Sequence, residues 1–425
     1  MVKVYEKREV KAREKEFVKM EISPEMLDAI LNGQECIEEL TERVGLMFMK
    51  TLMNDEINRL AGKKHARLEN RQATRWNEQK GYVLLRGKKV NMTRKRLRSA
   101  DSRQEIPLET YNKFQDESSA DQSAYNKLIR KLSSRDYEGA TESFCDGYGI
   151  KRTSVSKRFI RASSKKLSDL LERDLSQDNY VVIGIDGLHI EEFCLIVAVG
   201  ITDKGTKRVL GLWLGGTENS GTCKTLLADI LRRNLNKEKN YIFVIDGSKA
   251  LKKAIADVFG EKSPIQRCQF HKRENVKSHL PEKYQTATDM RLKAAYNMSN
   301  YEEARKSLLD IIADLKAINP SAASSLEEGF EETLTAHKLE ITGALKKTIS
   351  YTNFVESTFS MARSSMMNVK RWMNGNHIMR WSASALLEAE HRFRRVKGWR
   401  ELQKLDAKLN PKLNDKNVDI LEEVA

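Results

Sequence analysis

The chain has 425 residues, 40% of them hydrophobic and 32% charged, and its 75 Lys and Arg outnumber 60 Asp and Glu to give a formal net charge of +15. That length holds two or three domains with real cores, and the positive excess points to the phosphates of nucleic acid as partner. Five scattered cysteines, an odd number, suggest no disulfide framework and fit a reducing cytosol; no apolar run reaches the roughly 18 residues of a membrane span, and the charged N-terminus lacks the apolar stretch of a secretory signal.

Residues 1–62 read as an N-terminal helical region, a candidate for dimerisation. Met26, Leu27, Ile30 and Leu31, then Leu40, Val44, Met47, Phe48 and Leu52, recur at helical spacing, and Ser23-Pro24 supplies a start signal. Residues 63–120 change character. The segment RGKKVNMTRKRLR carries Arg86, Lys88, Lys89, Arg94, Lys95, Arg96 and Arg98 with no acid. GYVLL and VNMTRKRLR read as the arms of a hairpin turning near Gly87, a basic arm that tracks a DNA backbone; the alternative is a solvated, disordered basic loop.

Residues 121–174 return to helix. A first helix ends near Gly147, GYGIK makes a turn, and a second helix starts at Thr153 or Ser154. Lys151, Arg152, Ser154, Ser156, Lys157, Arg158 and Arg161 fall on its polar positions, with Val155, Phe159 and Ile160 facing inward. The pattern fits a helix-turn-helix whose second helix enters a major groove, against a plain helical hairpin.

From 175 to 275 the period becomes that of strands. VVIGID, FCLIVAVG and KRVLGLWL follow one another, then a helix from about Glu218 to Asn234, the strand YIFVID, the helix SKALKKAIADVFG, the short strand IQRCQF and a helix starting near His271. Three strands, helix, strand, helix, strand is the core order of a ribonuclease-H-like α/β sheet. In YIFVID, Ile242, Val244 and Asp246 share one face while Phe243 and Ile245 share the other, which marks a covered central strand. Residues 276–345 show only helical patterning and read as an all-helical insertion. Residues 346–400 return to the catalytic core with basic helices that include Lys370 and Arg371, and 401–425 reads as a loosely ordered tail.

The residues suited to chemistry are Asp186 after one apolar strand, Asp246 after another, and Glu356 in TNFVESTFSMAR. A carboxylate at the end of a buried strand is expensive to desolvate unless something compensates it. On adjacent strands, joined by a third carboxylate from a helix, such groups suit two divalent ions about 3.5–4 Å apart at a phosphodiester. Each has a structural alternative. Asp-Gly at 186 and 246 also marks turns, and Asn353 followed by Glu356 imitates a capping box. On the helix, Val355, Phe359 and Ala362 form the buried stripe, leaving Asn353, Glu356, Ser360 and Arg363 on a polar face.

With IGIDG at Asp186, VIDGSKAL at Asp246, CQFHKRENV from Cys268 to Val276 and YTNFVESTFSMAR around Glu356, the chain resembles bacterial Mutator-like insertion-sequence transposases of the DDE class. The likeness extends through RGKKVNMTRKRLR, GYGIKRTSVSKR and RWSASALLEAE, nearly the whole chain. It implies a catalytic triad of Asp186, Asp246 and Glu356 in a ribonuclease-H-like domain, an all-helical insertion before the glutamate, and preceding helical DNA-binding domains. It also implies a functional Cys268-x-x-His271 motif, a homodimer, and strand transfer that can produce circular intermediates.

Cys268 and His271 resemble half a zinc site, with His279 and Cys223 as distant further candidates, or else support the active site by packing, hydrogen bonding or touching DNA. GGTENSGTCKT lacks the Gly-Lys step of a P-loop, so no nucleotide triphosphate is expected. Trp372 and Trp381 are either helical core or platforms for an unpaired base; Asn353 and Arg363, flanking Glu356, are the better DNA candidates. The expected activity is Mg²⁺-dependent cleavage and strand transfer on double-stranded DNA, at terminal inverted repeats and a target, with two ions per site and Mn²⁺ substituting for Mg²⁺. The expected location is the bacterial cytoplasm, on the nucleoid, with no membrane partner. Rival readings are a nuclease of the same fold without strand transfer, a transposase-derived DNA-binding regulator, and, last, a P-loop motor.

Overall fold

The computed structural model describes residues 37–64, 66, 72–130, 132, 147–148, 150–215, 220–260, 263–367 and 369–411. The chain divides into two compact units, one of residues 1–128 and 132–162, the other of 129–131 and 163–425. The division falls inside the 121–174 stretch.

In the first unit, α1 (Ile37–Ala61) precedes a long antiparallel hairpin of β1 (Ala73–Leu85) and β2 (Lys88–Ser99). Leu85 pairs with Lys88 across a two-residue turn, and Arg86 and Gly87 both take positive φ, 47° and 83°. That combination matches the right-handed twist of the flanking strands, and glycine adopts it without strain. The basic run is therefore folded strand rather than a disordered loop. Nor is the hairpin a bare arm. Val83, Met92 and Leu97 bury one face against Met53 and Ile57 of α1 and Tyr111 of α2 (Glu109–Phe114). β3 (Glu105–Ile106) and β4 (Gly147–Tyr148) both pair with β2, while α3 (Ser118–Ile129) lies between them in sequence. The expected turn at GYGIK is thus a strand rung at Gly147 and Tyr148, and the helix expected before it falls on 133–146, outside the described residues. The helical spacing read at Met26–Leu31 also lies outside them.

α4 (Arg152–Leu171) starts within two residues of the expected position. Val155 and Phe159 are buried as expected, Phe159 stacking on Tyr125 at 5.8 Å. Ile160 is not: it is 42% exposed. The inward stripe continues instead through Arg158, 3% exposed, which donates to the Gly87 carbonyl at the hairpin turn. A guanidinium can fill an apolar position when a backbone acceptor takes its charge-assisted bond.

The second unit is built on a five-stranded sheet of β5 (Tyr180–Ile190), β6 (Phe193–Thr202), β7 (Lys207–Gly215), β8 (Ile242–Ile245) and β9 (Ile265–Arg267), in the order β7-β6-β5-β8-β9. The first three strands are antiparallel; β8 joins β5 in parallel and β9 joins β8 in parallel. α5 (Ser220–Arg232) connects β7 to β8, and α6 (Lys249–Phe259) connects β8 to β9. Alternation along each strand feeds two separate cores. Ile183, Ile185, Phe243 and Ile245 face Leu226, Leu227, Leu251 and Ile255 of these two helices. On the other side Val182, Ile242 and Val244 face Val355, Phe359, Ala385 and Leu386.

After β9, α7 (Gln269–Ser278), α8 (Glu282–Asn297), α9 (Tyr301–Ile318), α10 (Pro320–Glu327), α11 (Phe330–Thr333) and α12 (Thr335–Lys338) follow without a strand among the described residues. They enclose a third core of Val276, Leu292, Leu308, Ile311, Leu326 and Leu334. The Asn300 and Asn319 side chains cap α9 and α10, with Pro320 opening the latter. α13 (Gly343–Ile349), α14 (Asn353–Met366) and α15 (Gly375–Glu390) return the chain to the sheet. The expected loose tail is corrected as far as residue 411 by α16 (Leu402–Leu409): Leu402 and Leu405 join the sheet's core, and Asn410 Oδ1 accepts from Asn240 N at 2.7 Å, while 412–425 lie outside the described residues. No helix among the described residues is long and apolar enough to cross a membrane.

Candidate active site

Strand register places the two aspartates. Val182 pairs with Ile242, Ile183 with Phe243 and Gly184 with Val244; carrying this parallel register two residues on sets Asp186 level with Asp246. Both line one open cleft of about 380 Å³, together with Gly187, His189, His271, Glu356, Phe359 and Arg363. The turn alternative is half right. At Asp246 the carboxylate accepts from Ser248 N at 2.9 Å, and Gly247 takes φ 118°, so this aspartate does shape a turn while facing the cleft. At Asp186 the chain runs on in β5 to Ile190, so no turn forms there.

Glu356 arrives on α14. Val355, Phe359 and Ala362 are buried as expected, while Asn353, Ser360 and Arg363 are exposed and Glu356 is partly so. The seating is close, because a Cβ at Gly184 would run into the Phe354 ring and Val355. Glycine at this point of β5 lets the helix approach the sheet. The capping box does not form. The cap residue is Thr352, and its hydroxyl makes no bond to the helix's first N–H groups but reaches Glu356 Oε1 at 2.6 Å.

Thr352 Oγ1 also lies 3.4 Å from Cys268 Sγ and 3.5 Å from His271 Nδ1, and His271 Nε2 stands 3.8 Å from Glu356 Oε1. Cys268 caps α7 immediately after β9, which carries His271 to the cleft one turn later. The Cys268 sulfur beside it raises His271 to about 9 against the pull of burial, with Glu356 and Asp186 adding to the rise. Burial pushes the Cys268 thiol up, but hydrogen bonds from His271 and Thr352 outweigh it and leave the thiol below its ordinary range. Burial is also the main cause at Asp186, which with the neighbouring Asp246 charge is pushed up to about 7.

Asp186 is thus a half-buried carboxylate beside a second one, and it accepts from Gly187 N at 2.8 Å. A hard divalent cation is the compensation that such oxygen donors accept, so the donor set fits one. Among the described residues, no three His, Cys, Asp or Glu side chains are gathered into a ready metal shell. Glu356 is tied instead to Thr352. A zinc site on Cys268 and His271 gains no support: Cys223 is buried in the opposite core of the sheet and His279 ends α7.

The basic side chains separate into two classes. Lys95, Arg152, Ser156, Lys157, Lys370 and Arg371 are exposed, Lys95 donating to Asn54 Oδ1 at 3.2 Å, and Ser154 is partly exposed. Others are already engaged. Lys88 is 5% exposed and Arg158 is buried, so neither stands on the surface as the sequence pattern implied. Lys89 pairs with Glu117 at 2.6 Å, Arg96 Nε donates to Glu105 at 2.8 Å, and Arg94 lies 3.4 Å from the same carboxylate. Arg96 and Arg98 both stack on the Trp76 indole, at 4.0 and 3.3 Å. Arg86 is exposed and lies 3.8 Å from the buried Glu42. Trp372 and Trp381 pack partly buried against the sheet's core on either side of His377.

Thr352 and His189 escaped the sequence reading. A threonine before a helix reads as a cap, and a histidine late in a strand carries no signal of its own. The P-loop look-alike is helical from Ser220, with Lys224 paired to Asp257.

Residues 18–395 match the profile described as Transposase, Mutator family. The chain is 28% identical to the transposase for insertion sequence element IS6120 of Mycolicibacterium smegmatis over 242 residues, 55% of this chain and 73% of that relative. It is 24% identical over 324 residues to the transposase for IS256 in transposon Tn4001 of Staphylococcus aureus, 73% of this chain and 79% of the relative. To the transposase for IST2 of Acidithiobacillus ferrooxidans it is 26% identical over 200 residues, 47% of this chain and 66% of the relative. With a family match across most of its length, the chain belongs to the Mutator family of transposases.

Proposed function

We propose that this transposase cuts and joins DNA at the cleft of Asp186, Asp246 and Glu356, acting on the terminal inverted repeats of its element. The observation that carries the reading is the parallel register that sets Asp186 level with Asp246 in the cleft Glu356 also lines. The strand order β7-β6-β5-β8-β9 supports a ribonuclease-H-like catalytic domain, and the separate core of α7–α12 supports a helical insertion within it.

The three carboxylates would hold two Mg²⁺ ions, with Mn²⁺ an effective substitute. Bound there, the cations supply positive charge to the phosphate oxygens and acidify the attacking water or 3′-hydroxyl. The protein's own part is positioning. Asp186 and Asp246 are fixed by the strand ladder, Glu356 by the packed stripe of α14, and Arg363 presents a cation to the same cleft. The His271 imidazolium beside Glu356 stands near enough to steady a phosphate. The exposed face of α4, with Arg152, Ser156 and Lys157, supports groove contact by that helix, and Lys95 adds a backbone contact from the hairpin. The acting form is a homodimer working on the bacterial nucleoid.

Labelled element ends with Mg²⁺ test the reading. Wild type is expected to give nicked and joined products; Asp246→Asn should bind the ends with unchanged affinity yet lose about 10³-fold in rate, since metal assistance is worth several kcal/mol and each 1.36 kcal/mol is tenfold. Nicked products that never join would favour a nuclease. Full activity in Asp246→Asn would sink the proposal.

A further inference from the structure

We infer that Thr352 is a positioning residue for Glu356: its hydroxyl anchors one carboxylate oxygen and leaves the other to face the cleft. The inference rests on the reading of Glu356 as a catalytic carboxylate.

Thr352 is fully buried and has one hydroxyl proton. Three polar atoms surround it, but their distances differ: 2.6 Å to Glu356 Oε1 against 3.4 Å to Cys268 Sγ and 3.5 Å to His271 Nδ1. The short contact is that of a charge-assisted bond from a hydroxyl to a carboxylate. The two longer neighbours differ in role: towards Cys268 Sγ the hydroxyl would itself be the donor, a weak competitor at 3.4 Å, whereas His271 can donate Nδ1–H to a lone pair of Oγ1. That donation disfavours a rotation of the Thr352 proton away from Glu356. His271, in the first turn of α7, would in this way act on Glu356 through Thr352.

The second point is selectivity between the two oxygens. Thr352 and His271 both approach Oε1, and among the described residues neither contact involves Oε2. A glutamate side chain has several rotatable bonds, and holding it by the backbone alone leaves it free to swing. Anchoring Oε1 removes that freedom before a cation or DNA arrives, which is the preorganisation a ligating carboxylate needs. The backbone adds a fixed point, because Glu356 N donates to the Thr352 carbonyl at 3.0 Å. A mere helix cap would use its hydroxyl on the first-turn N–H groups; this one does not.

The test uses the full chain with three substitutions, Thr352→Val, Thr352→Ser and Thr352→Ala. Mn²⁺ affinity is measured by calorimetry without DNA, and cleavage of labelled ends gives kcat and KM separately. Thr352→Val should weaken Mn²⁺ binding and lower kcat by about 10–100-fold, the usual effect of removing a group that orients a ligand, with KM for DNA unchanged. Thr352→Ser should recover to within a few-fold of wild type. Ser and Ala share the loss of the methyl, so the ratio between them isolates the hydroxyl even if the valine variant fails to fold. Equal Mn²⁺ affinity and equal kcat in Thr352→Ser and Thr352→Ala would overturn the inference. Glu356→Gln separates the two levels: if it too keeps metal affinity and cleavage, the assignment of Glu356 itself fails. If Glu356→Gln loses both while Thr352→Ala keeps both, only the role of Thr352 falls.

Discussion

The basic hairpin of β1 and β2 and the paired acids within β5 and just after β8 both concentrate charge, but they hold it in different ways. On the hairpin, cations meet partners at the surface: Arg96 with Glu105, Lys89 with Glu117, Arg98 with the Trp76 ring. Water screens these contacts, so each is worth little singly and none is fixed in place by its charge. At the sheet, Asp186 and Asp246 stand close enough to repel, and burial pushes Asp186 up to about 7. Their placement is set by the backbone ladder rather than by their charge. Where water screens, function can be spread over many replaceable side chains; where it does not, a few side chains carry it and the frame must be exact to an ångström.

Short of removing an acid, the largest effect should come from disturbing that frame. Gly184→Val forces a side chain into Phe354 and Val355. Overpacking of this kind costs about 1–3 kcal/mol, and an ångström of displacement at a reacting group costs about 10²-fold in rate. Thermal melts and cleavage kinetics should show both losses, with DNA-end binding retained. A wild-type cleavage rate would mean that α14 does not depend on this close approach.

Next in size is the pH response of the metal-free protein. The Asp186 pKa is raised in the folded state, from 3.8 to about 7, so folding favours its protonated form. Its contribution is fully present below pH 4 and is lost as pH rises through about 7, with a ceiling of about 4 kcal/mol. In chelator, Asp186→Asn should therefore be more stable than wild type at pH 7.5, and the gap should close towards pH 4. Adding Mg²⁺ should narrow the gap at pH 7.5 by compensating the wild-type charge. Parallel melting curves across the range would contradict the assigned burial.

The smallest effects separate the two kinds of arginine and lysine on α4. Arg158→Ala should destabilise the hairpin unit by about 1–3 kcal/mol, because the Gly87 carbonyl loses a buried donor. Lys157→Ala should leave the melt unchanged, weaken DNA binding across sequences, and reduce the salt slope by about 1. If the two substitutions behave alike, the contrast between buried and exposed cations on this helix is wrong.

Much of the sheet was legible because its signals are local. Apolar strands of alternating faces, short connections and amphipathic helices gave β5 to β9 in order; Asp186 and Asp246 stood out as carboxylates after apolar strands, and Glu356 as the acid on the polar face of a basic helix. The hairpin turn at Arg86-Gly87 was legible for the same reason. What failed was side-chain fate at single positions. Arg158 and Ile160 exchange their expected places on α4, since the neighbour that decides them is the distant Gly87 carbonyl. The stretch 402–410 looked loose because its partners, Asn240 and the sheet's core, lie far away in sequence. Thr352 was missed because its role depends on Cys268, His271 and Glu356 meeting at one hydroxyl.

The chain alone determined its family resemblance, its longer strands and most helices, and which acids were worth watching, because hydrophobic period and turn chemistry act over a few residues. Only the tertiary structure decided that Asp186 and Asp246 lie level and which cations are buried. It alone turned Thr352 towards Glu356, since these depend on strand register and on contacts between residues tens of positions apart.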